Sequence, residues 1–321
     1  MSSRRFVLLL CAVLIGTTSF AATKKSDRDR DRSKDWSDLS LQNGSLADIG
    51  SSVSGGVENL MLLQGGGPLG PPVQGPGTPD NWNGGTGKWS VAGNWNNGEP
   101  GAGSDVTIYS GGTDTVTLDV GSTTINSLTL GGASNGHTSE LTDNGTKQTL
   151  TITNALNVGV TGELYLSGGS TVTAGANSSN SGEMFVSGGS SLTVTGNLMF
   201  AAGSELGLSK ASTLTVNGNL TNNSNSFYTG YGIVTSGGSN MLNVNGAFTN
   251  NGAFYMYGNQ EGGGGSGDTL TVTGTLTNAA GATFELIANS GAVANVNALS
   301  NSGTLLIGTG TTLDITGGDR G

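Results

Sequence analysis

The sequence predicts an all-β protein whose main part is a parallel β-helix, a solenoid of roughly eight to ten coils. Related segments recur along the chain, since Gly162–Thr173 and Gly182–Thr193 match in character at nearly every position. Apolar and polar residues alternate within each segment, as in Leu270–Thr273, and a period of two indicates a strand with one buried face. No proline follows Pro100, and strands inside a stack need every backbone N–H for pairing.

A second repeated unit has the pattern apolar-x-apolar-x-small-x-apolar. Its five consecutive copies begin 22, 28, 28 and 23 residues apart, so the strand pattern is kept while the loops vary. A single coil cannot bury its apolar side chains, but stacked coils enclose a continuous interior. We therefore place the solenoid at residues 105–318 and a tail at 319–321. The copies are Leu192–Leu198, Leu214–Leu220, Leu242–Phe248, Leu270–Leu276 and Val293–Leu299, with an earlier relative at Leu150–Leu156.

Residues 1–21 have the three parts of a secretory signal peptide: two early arginines, the apolar core Phe6–Ile15 and small residues before Ala21. Cleavage after Ala21 would remove Cys11, the one cysteine, so we expect an exported chain that is held together without disulfides. The expected location is outside a bacterial cell or on its surface, with the periplasm left open. No integral membrane segment is expected in the mature chain, because no apolar run reaches the roughly 20 residues of a spanning helix.

The segment 22–81 predicts a disordered linker. Lys24–Asp38 alternates charges of opposite sign and offers little apolar surface to bury. Gly65–Asp80 contains five of the six prolines, a composition typical of an extended tether.

Residues 82–104 predict an N-terminal cap that is rich in tryptophan. The first coil of a solenoid must be closed against water, and Trp82, Trp89 and Trp95 suit that purpose. The alternative interpretation is that the three indole rings stack on a glycan.

An asparagine recurs at one position of the coil, two residues after the last apolar residue of four successive units. The spacing predicts a structural ladder in which each side-chain amide bonds to the next, as in stacked strands. The alternative is that asparagine is frequent at turns through composition alone. The four residues are Asn222, Asn250, Asn278 and Asn301.

The block Trp89–Ile108, followed by coils rich in Gly, Asn and Thr, resembles the passenger regions of bacterial autotransporters and filamentous-haemagglutinin-type exoproteins. The resemblance covers about residues 82–318. It implies an extracellular right-handed parallel β-helix with an adhesive or structural role. Autotransporters also have a C-terminal translocating barrel that this sequence lacks after Gly318, so we expect a separate export machine.

Composition argues against several chemistries. The chain has 22 acidic and 12 basic residues, a net charge of −10, so nucleic acid is not an expected partner. After Pro100 the basic residues are Lys147, Lys210 and Arg320, whereas enzymes that cleave acidic polysaccharides place cations beside carboxylates. His137, the one histidine, lies in a loop sequence without a second metal ligand. We therefore expect no enzymatic activity, no cofactor and no metal.

Glycoside hydrolysis would need two facing carboxyl groups, and Glu163 and Glu183 occupy matching places one coil apart. Our preferred interpretation makes them solvated carboxylates at a corner, and the alternative makes them a catalytic pair. Gly262–Asp268 resembles a calcium-binding repeat but occurs once and has Ser266 where glycine is required. The carboxyl candidates are Asp105, Asp114, Asp119, Glu163, Glu183, Glu205 and Glu285.

Thr-x-Thr pairs recur along the chain and would resemble an ice-binding array if they shared one flat face. Threonine is also simply the polar residue that suits exposed strand positions. The pairs are Thr115/Thr117, Thr151/Thr153, Thr171/Thr173, Thr193/Thr195, Thr213/Thr215 and Thr271/Thr273.

Three functions are therefore open. The leading hypothesis is a secreted or surface-displayed, non-enzymatic β-helix with an adhesive or structural role, whose partner is a glycan or matrix surface. The alternatives are a polysaccharide-active enzyme, either a lyase or a glycoside hydrolase, and a threonine array that binds ice or another lattice. Edge-to-edge self-association is expected unless both ends of the solenoid are capped.

Overall fold

A computed structural model describes residues 77–317, apart from gaps at 134–135, 225–231, 259–266 and 288–289. The predicted signal peptide, nearly all of the linker and the tail 319–321 lie outside the described residues. All of the described residues belong to one compact unit, Leu69–Gly321. No helix in this part of the chain is long and apolar enough to cross a membrane.

The described chain is a parallel β-solenoid of about ten turns, which confirms the predicted fold class. It contains 27 strands and a short 3-10 helix, Ala92–Asn94. Each full coil contributes a strand to each of three faces, which we number in the order in which the coil of residues 114–130 runs through them. Face 1 is the ten-stranded sheet, and faces 2 and 3 are two stacks within the 17-stranded sheet.

The strands of face 1 are β2 (Thr86–Lys88), β4 (Asp114–Thr117), β7 (Ser139–Thr142), β10 (Gly162–Leu166), β13 (Glu183–Val186), β16 (Glu205–Ser209), β19 (Gly232–Ser236), β22 (Ala253–Gly258), β24 (Thr283–Leu286) and β26 (Thr304–Ile307). Those of face 2 are β5 (Ser122–Ile125), β8 (Thr149–Ile152), β11 (Thr171–Ala174), β14 (Ser191–Val194), β17 (Thr213–Val216), β20 (Met241–Val244), the first parts of β23 (Thr269–Asn278) and β25 (Val293–Asn301), and β27 (Thr312–Ile315). Those of face 3 are β1 (Thr78–Asn81), β3 (Ser104–Ile108), β6 (Ser127–Leu130), β9 (Leu156–Val158), β12 (Ser178–Asn180), β15 (Leu198–Phe200), β18 (Leu220–Asn222), β21 (Phe248–Asn250) and the second parts of β23 and β25.

The core follows from the alternation in each strand. In β14 and β17 the second and fourth residues are buried and the first and third are partly exposed. Parallel pairing keeps this alternation in register, so that Leu192, Leu214 and Leu242 lie one above another. Each inward side chain is therefore covered by the coils on both sides of it, and the three faces share one apolar interior.

In four copies of the repeated unit the small residue is a glycine at the corner between faces 2 and 3, namely Gly196, Gly218, Gly246 and Gly274. A Cβ atom at Gly246 would lie 2.6 Å from the carbonyl oxygen of Gly218, and a Cβ atom at Gly218 would lie 2.7 Å from the backbone of Gly196. Successive backbones approach too closely for a side chain at these glycines, whereas the copies Leu150–Leu156 and Val293–Leu299 have Asn154 and Asn297 at this position.

The solenoid includes residues before its predicted boundary. Thr78–Asn81 form β1 and pair in parallel with β3, so these four residues belong to the solenoid and not to the linker. Pro79 is tolerated there because β1 is the outermost strand of face 3, where a missing backbone donor breaks no ladder.

Candidate functional site

The three tryptophans close the N-terminal end of the solenoid. Trp82, Trp89 and Trp95 are each 3% exposed or less and belong to the apolar core. The Trp95 ring lies 4.9 Å from the ring centroids of both other tryptophans, with edge-to-face geometry. Its indole Nε1 donates to the backbone oxygen of Trp89 at 2.8 Å. Rings so buried offer no face to a sugar, so the interpretation of a glycan platform is wrong for these residues, and they serve as a cap.

The strand edge of the first coil is also covered by hydrogen bonds. The backbone N–H of Asn81 donates to the side chain of Asn96 at 2.7 Å, and the backbone N–H of Asn96 donates back to the Asn81 carbonyl at 3.0 Å. The side chain of Asn97 donates to the carbonyl of Pro79 at 2.7 Å. The segment after the 3-10 helix therefore occupies the outer edge of β1.

The four asparagines of the predicted ladder lie one above another at the end of face 3. Asn222 Nδ2 donates to Asn250 Oδ1 at 2.8 Å, Asn250 to Asn278 at 2.9 Å, and Asn278 to Asn301 at 2.8 Å. The Nδ2 atoms of the first three also donate to carbonyls at the corner that leads into face 1. Asn222, Asn250 and Asn278 are completely buried, whereas Asn301 is exposed. The ladder therefore satisfies buried polar groups at a corner, which is a structural role.

A second buried polar column, which the sequence analysis did not identify, lies just before face 2. Most members accept a hydrogen bond from the backbone of the coil before them: Ser170 from the Gln148 N–H at 2.8 Å, and Asn240 from the Ser212 N–H at 3.0 Å. Asp268 accepts both from the backbone and from the side chain of Asn240. The column is serine in three successive coils, at Ser170, Ser190 and Ser212, and then changes to Asn240 and Asp268, so a repeated serine before the face 2 strands was the available signal.

Four glutamates form a column on the outer side of face 1. Glu140, Glu163, Glu183 and Glu205 are directly paired across β7, β10, β13 and β16. All four are partly buried and lie within strands. The interpretation of Glu163 and Glu183 as solvated corner carboxylates is therefore wrong, because the neighbouring strands on both sides enclose their side chains. We call this set the glutamate column.

Aromatic residues lie beside the glutamate column on the same strands. Tyr165 and Phe185 are stacked, with ring centroids 4.8 Å apart and an interplanar angle of 11°. The hydroxyl of Tyr165 donates to Glu183 Oε2 at 3.4 Å. The Phe185 ring leans over Gly207 in the next strand, since a Cβ atom there would lie 2.7 Å from the ring. The two columns together form an acidic and aromatic band on face 1.

Burial and mutual repulsion make the glutamate column hard to ionise. Desolvation, followed by the charges of Glu183 and Glu140, raises the pKa of Glu163 to about 7. Desolvation, with a contribution from Glu183, also raises the pKa of Glu205 to about 7. Desolvation raises the pKa values of Glu140 and Glu183 as well. The column therefore holds protons at a pH at which isolated carboxyl groups have lost them.

The geometry of the column differs from that of a glycosidase pair. Side chains in register on one face of a sheet point to the same side, whereas glycosidase carboxyl groups flank the scissile bond. The other carboxyl candidates are dispersed. Asp114 accepts hydrogen bonds from Ser110 at the start of face 1, and Asp105 binds Asn126 and Ser127 on face 3.

The remaining candidate ligands do not assemble into a metal centre. In the parts of the chain that the structure describes, no group of three or more His, Cys, Asp or Glu side chains is placed to hold a metal ion. His137 is exposed in a loop, with Nδ1 3.4 Å from the Thr113 hydroxyl. Most of the calcium-like segment Gly262–Asp268 lies outside the described residues.

Hydroxyl residues form two columns on face 2. Five successive coils place ten Ser or Thr side chains outward, in pairs two residues apart and one coil above another. This register corrects the predicted pairs: Thr115/Thr117 lie on face 1, and Thr153 and Thr195 lie at the corner that follows face 2. Met241 and Asn243 interrupt the columns before Thr269 and Thr271. The five pairs are Ser122/Thr124, Thr149/Thr151, Thr171/Thr173, Ser191/Thr193 and Thr213/Thr215.

Comparison of the chain with protein-family models, with curated proteins and with solved structures gives no match.

Proposed function

We propose that the protein is an exported, non-enzymatic β-solenoid that acts as an adhesive or structural rod outside a bacterial cell or on its surface. The observation that carries this proposal is the repetition of one chemical group at coil spacing on an outer face, in the glutamate column and its aromatic neighbours. Strands in a sheet are spaced by about 4.8 Å, so such a band presents regularly repeated acceptors to a polymer. The resemblance to autotransporter and haemagglutinin-type passengers supports the same role and the same location.

The expected ligand of the band is a glycan or a matrix polymer. Partly buried carboxyl groups accept hydrogen bonds from hydroxyl groups, and an aromatic ring edge provides apolar contact area beside them. Tyr165 and Phe185 lie next to Glu163 and Glu183, so both kinds of contact are available within two coils.

A screen of the chain against glycans and matrix proteins tests this proposal. Replacing Tyr165 and Phe185 with alanine removes the stacked pair, and we expect affinity for any ligand of this band to fall at least about tenfold. Tyr255→Ala is the matched control, because Tyr255 lies in the same outward column three strands beyond Phe185. Equal loss in the control, or no retained ligand in the whole screen, would count against an adhesive band.

The enzymatic alternative is tested on the same ligands. We expect no soluble fragments after incubation of a bound glycan with the native chain, because the carboxyl groups of the column lie on one side. Release of fragments by the native chain that Glu163→Gln or Glu183→Gln abolishes would instead establish a polysaccharide-active enzyme.

The hydroxyl columns of face 2 favour a second candidate, a lattice-binding surface. Ten Ser or Thr side chains lie about 4.8 Å apart between coils and about 6.7 Å apart along each strand. Thermal hysteresis of the native chain, lost in Thr173→Lys, would support ice as the lattice. Thr221→Lys on face 3 is the control that should leave the hysteresis unchanged. A native chain without hysteresis excludes ice as the ligand.

A further inference from the structure

The four methionines that the structure describes fall into two classes. Met184 and Met256 point into the apolar core and are completely buried. Met199 and Met241 point outward and are 46% and 45% exposed. An oxidant dissolved in the surrounding water must touch the sulfur atom to react with it, so it can reach the second pair and not the first.

Met241 interrupts a column of hydroxyl side chains on face 2. It lies one coil from Thr213 on one side and one coil from Thr269 on the other. Hydroxyl groups in this column can bond across one coil, because Ser191 Oγ donates to Thr171 Oγ1 at 3.3 Å. A thioether sulfur is only a weak hydrogen-bond acceptor, so Met241 leaves a gap in the hydrogen-bonding capacity of the column.

Met199 has the equivalent place on face 3. Its neighbours in the outward column are Ser179 and Thr221. Ser179 Oγ donates to Asn157 Oδ1 in the preceding coil at 3.0 Å. This column therefore also contains groups that bond from coil to coil, and Met199 separates them from the threonine beyond it.

Oxidation supplies the missing acceptor at both places. A peroxide transfers one oxygen atom to the thioether: an S–O bond forms as the O–O bond breaks, the sulfur is oxidised to a sulfoxide, and the peroxide is reduced to water or an alcohol. A hydroxyl group on the adjacent strand, about 4.8 Å away, lies within reach of the sulfoxide oxygen on the flexible methionine side chain. At Met184 or Met256 the same oxygen would enter the apolar core without a donor, which is costly.

We propose that Met199 and Met241 are sites of oxidative modification, at which a peroxide forms methionine sulfoxide and completes the polar columns of faces 2 and 3 while the solenoid stays folded. Each exposed thioether is then replaced by a hydrogen-bonding group, so these two faces respond to oxidants in the surrounding medium. The glutamate column on face 1 takes no part, so this inference is independent of the ligand of the acidic and aromatic band.

Peptide mass spectrometry of the full chain during treatment with dilute hydrogen peroxide shows which sulfur atoms react. We expect Met199 and Met241 to gain an oxygen atom at least about tenfold faster than Met184 and Met256, because the buried sulfurs become reachable only when the solenoid opens. Equal rates at these four residues, or no reaction at the exposed pair, would overturn the proposal.

The melting temperature shows whether the neighbouring hydroxyl groups accommodate the sulfoxide. Oxidation of the exposed pair should change the melting temperature of the native chain by no more than about 1 °C. Replacing Thr213 and Thr269 with valine removes the donors beside Met241, so the same oxidation should lower the melting temperature of this variant by about 2–4 °C. Met199→Leu/Met241→Leu is the control, in which the same treatment should cause no change. Unfolding of the native chain on oxidation, or an equal fall in the native chain and the valine variant, contradicts the proposal.

Discussion

The first coil of the solenoid buries three tryptophans, whereas the last described coil leaves two core isoleucines 43% exposed. Interior coils show no such difference, because every inward side chain there is covered from both sides. Burial in this fold is therefore supplied by the neighbouring coil and not by the coil itself. The inward side chains of the first coil are therefore buried only because the three tryptophans cover them.

The largest expected effect is at the capped end. Trp95→Ala should destabilise the protein by about 3–5 kcal/mol, because it opens a cavity between two other buried rings and removes the indole hydrogen bond to Trp89. Ile315→Ala should cost less than about 1 kcal/mol, since much of that side chain is already in water. Urea unfolding of each variant beside the native chain measures both costs. Equal effects at the two ends would mean that the cap does not seal the core.

The asparagine ladder should show the same contrast between an interior coil and the last one. Asn250→Ala removes three hydrogen bonds at a buried corner, those with Asn222 Nδ2, Asn278 Oδ1 and the Thr283 carbonyl, at a cost of about 2–3 kcal/mol. Asn301→Ala should cost about 0.5 kcal/mol or less, because Asn301 is exposed and water can replace its side chain. Thermal unfolding of the two variants measures both losses of stability. A costly Asn301→Ala would show that the last coil is covered by something else.

The smallest effect is a pH dependence that should arise from the middle coils and not from either end. The folded state holds protons on Glu163 and Glu205 up to about pH 7, whereas an unfolded glutamate releases its proton near 4.5. The stability that this difference provides is complete below pH 4.5 and is lost as the pH rises through about 7. The melting temperature should therefore fall between about pH 5 and pH 8.

Glutamate-to-glutamine variants identify the carboxyl groups that cause the pH dependence of the melting temperature. Glu163→Gln, which keeps the shape and removes the charge, should raise the melting temperature at pH 8 by a few degrees, about the effect of 1 kcal/mol in a domain of this size. Glu285→Gln is the control on the same face, away from the column. Melting curves that respond equally to the two substitutions would contradict the coupling within the glutamate column.

Several features could be predicted because they depend on local periodicity. Alternation within Leu270–Thr273 shows which side chains point inward, and the equal spacing of apolar residues to Asn222 and Asn250 shows that both reach the same corner. The tryptophan-rich segment indicates a cap, because a first coil must be closed against water, and all three rings are buried. Glu140 was missed, although Ser139–Thr142 matches Gly162–Tyr165 in its Glu-Leu pair, because Glu140, Glu163, Glu183 and Glu205 lie at unequal separations along the chain.

The amino-acid sequence alone indicates that this chain stacks strands around an apolar interior, since a period of two within each strand is a local property. Which outward residues share a column is set by the tertiary structure. Backbone pairing between coils fixes that alignment. Because the loops differ in length, the residues of one column are unevenly spaced along the sequence. Only the structure also showed that the tryptophans are fully covered and that Ile307 and Ile315 are not, because exposure depends on whether another coil lies above.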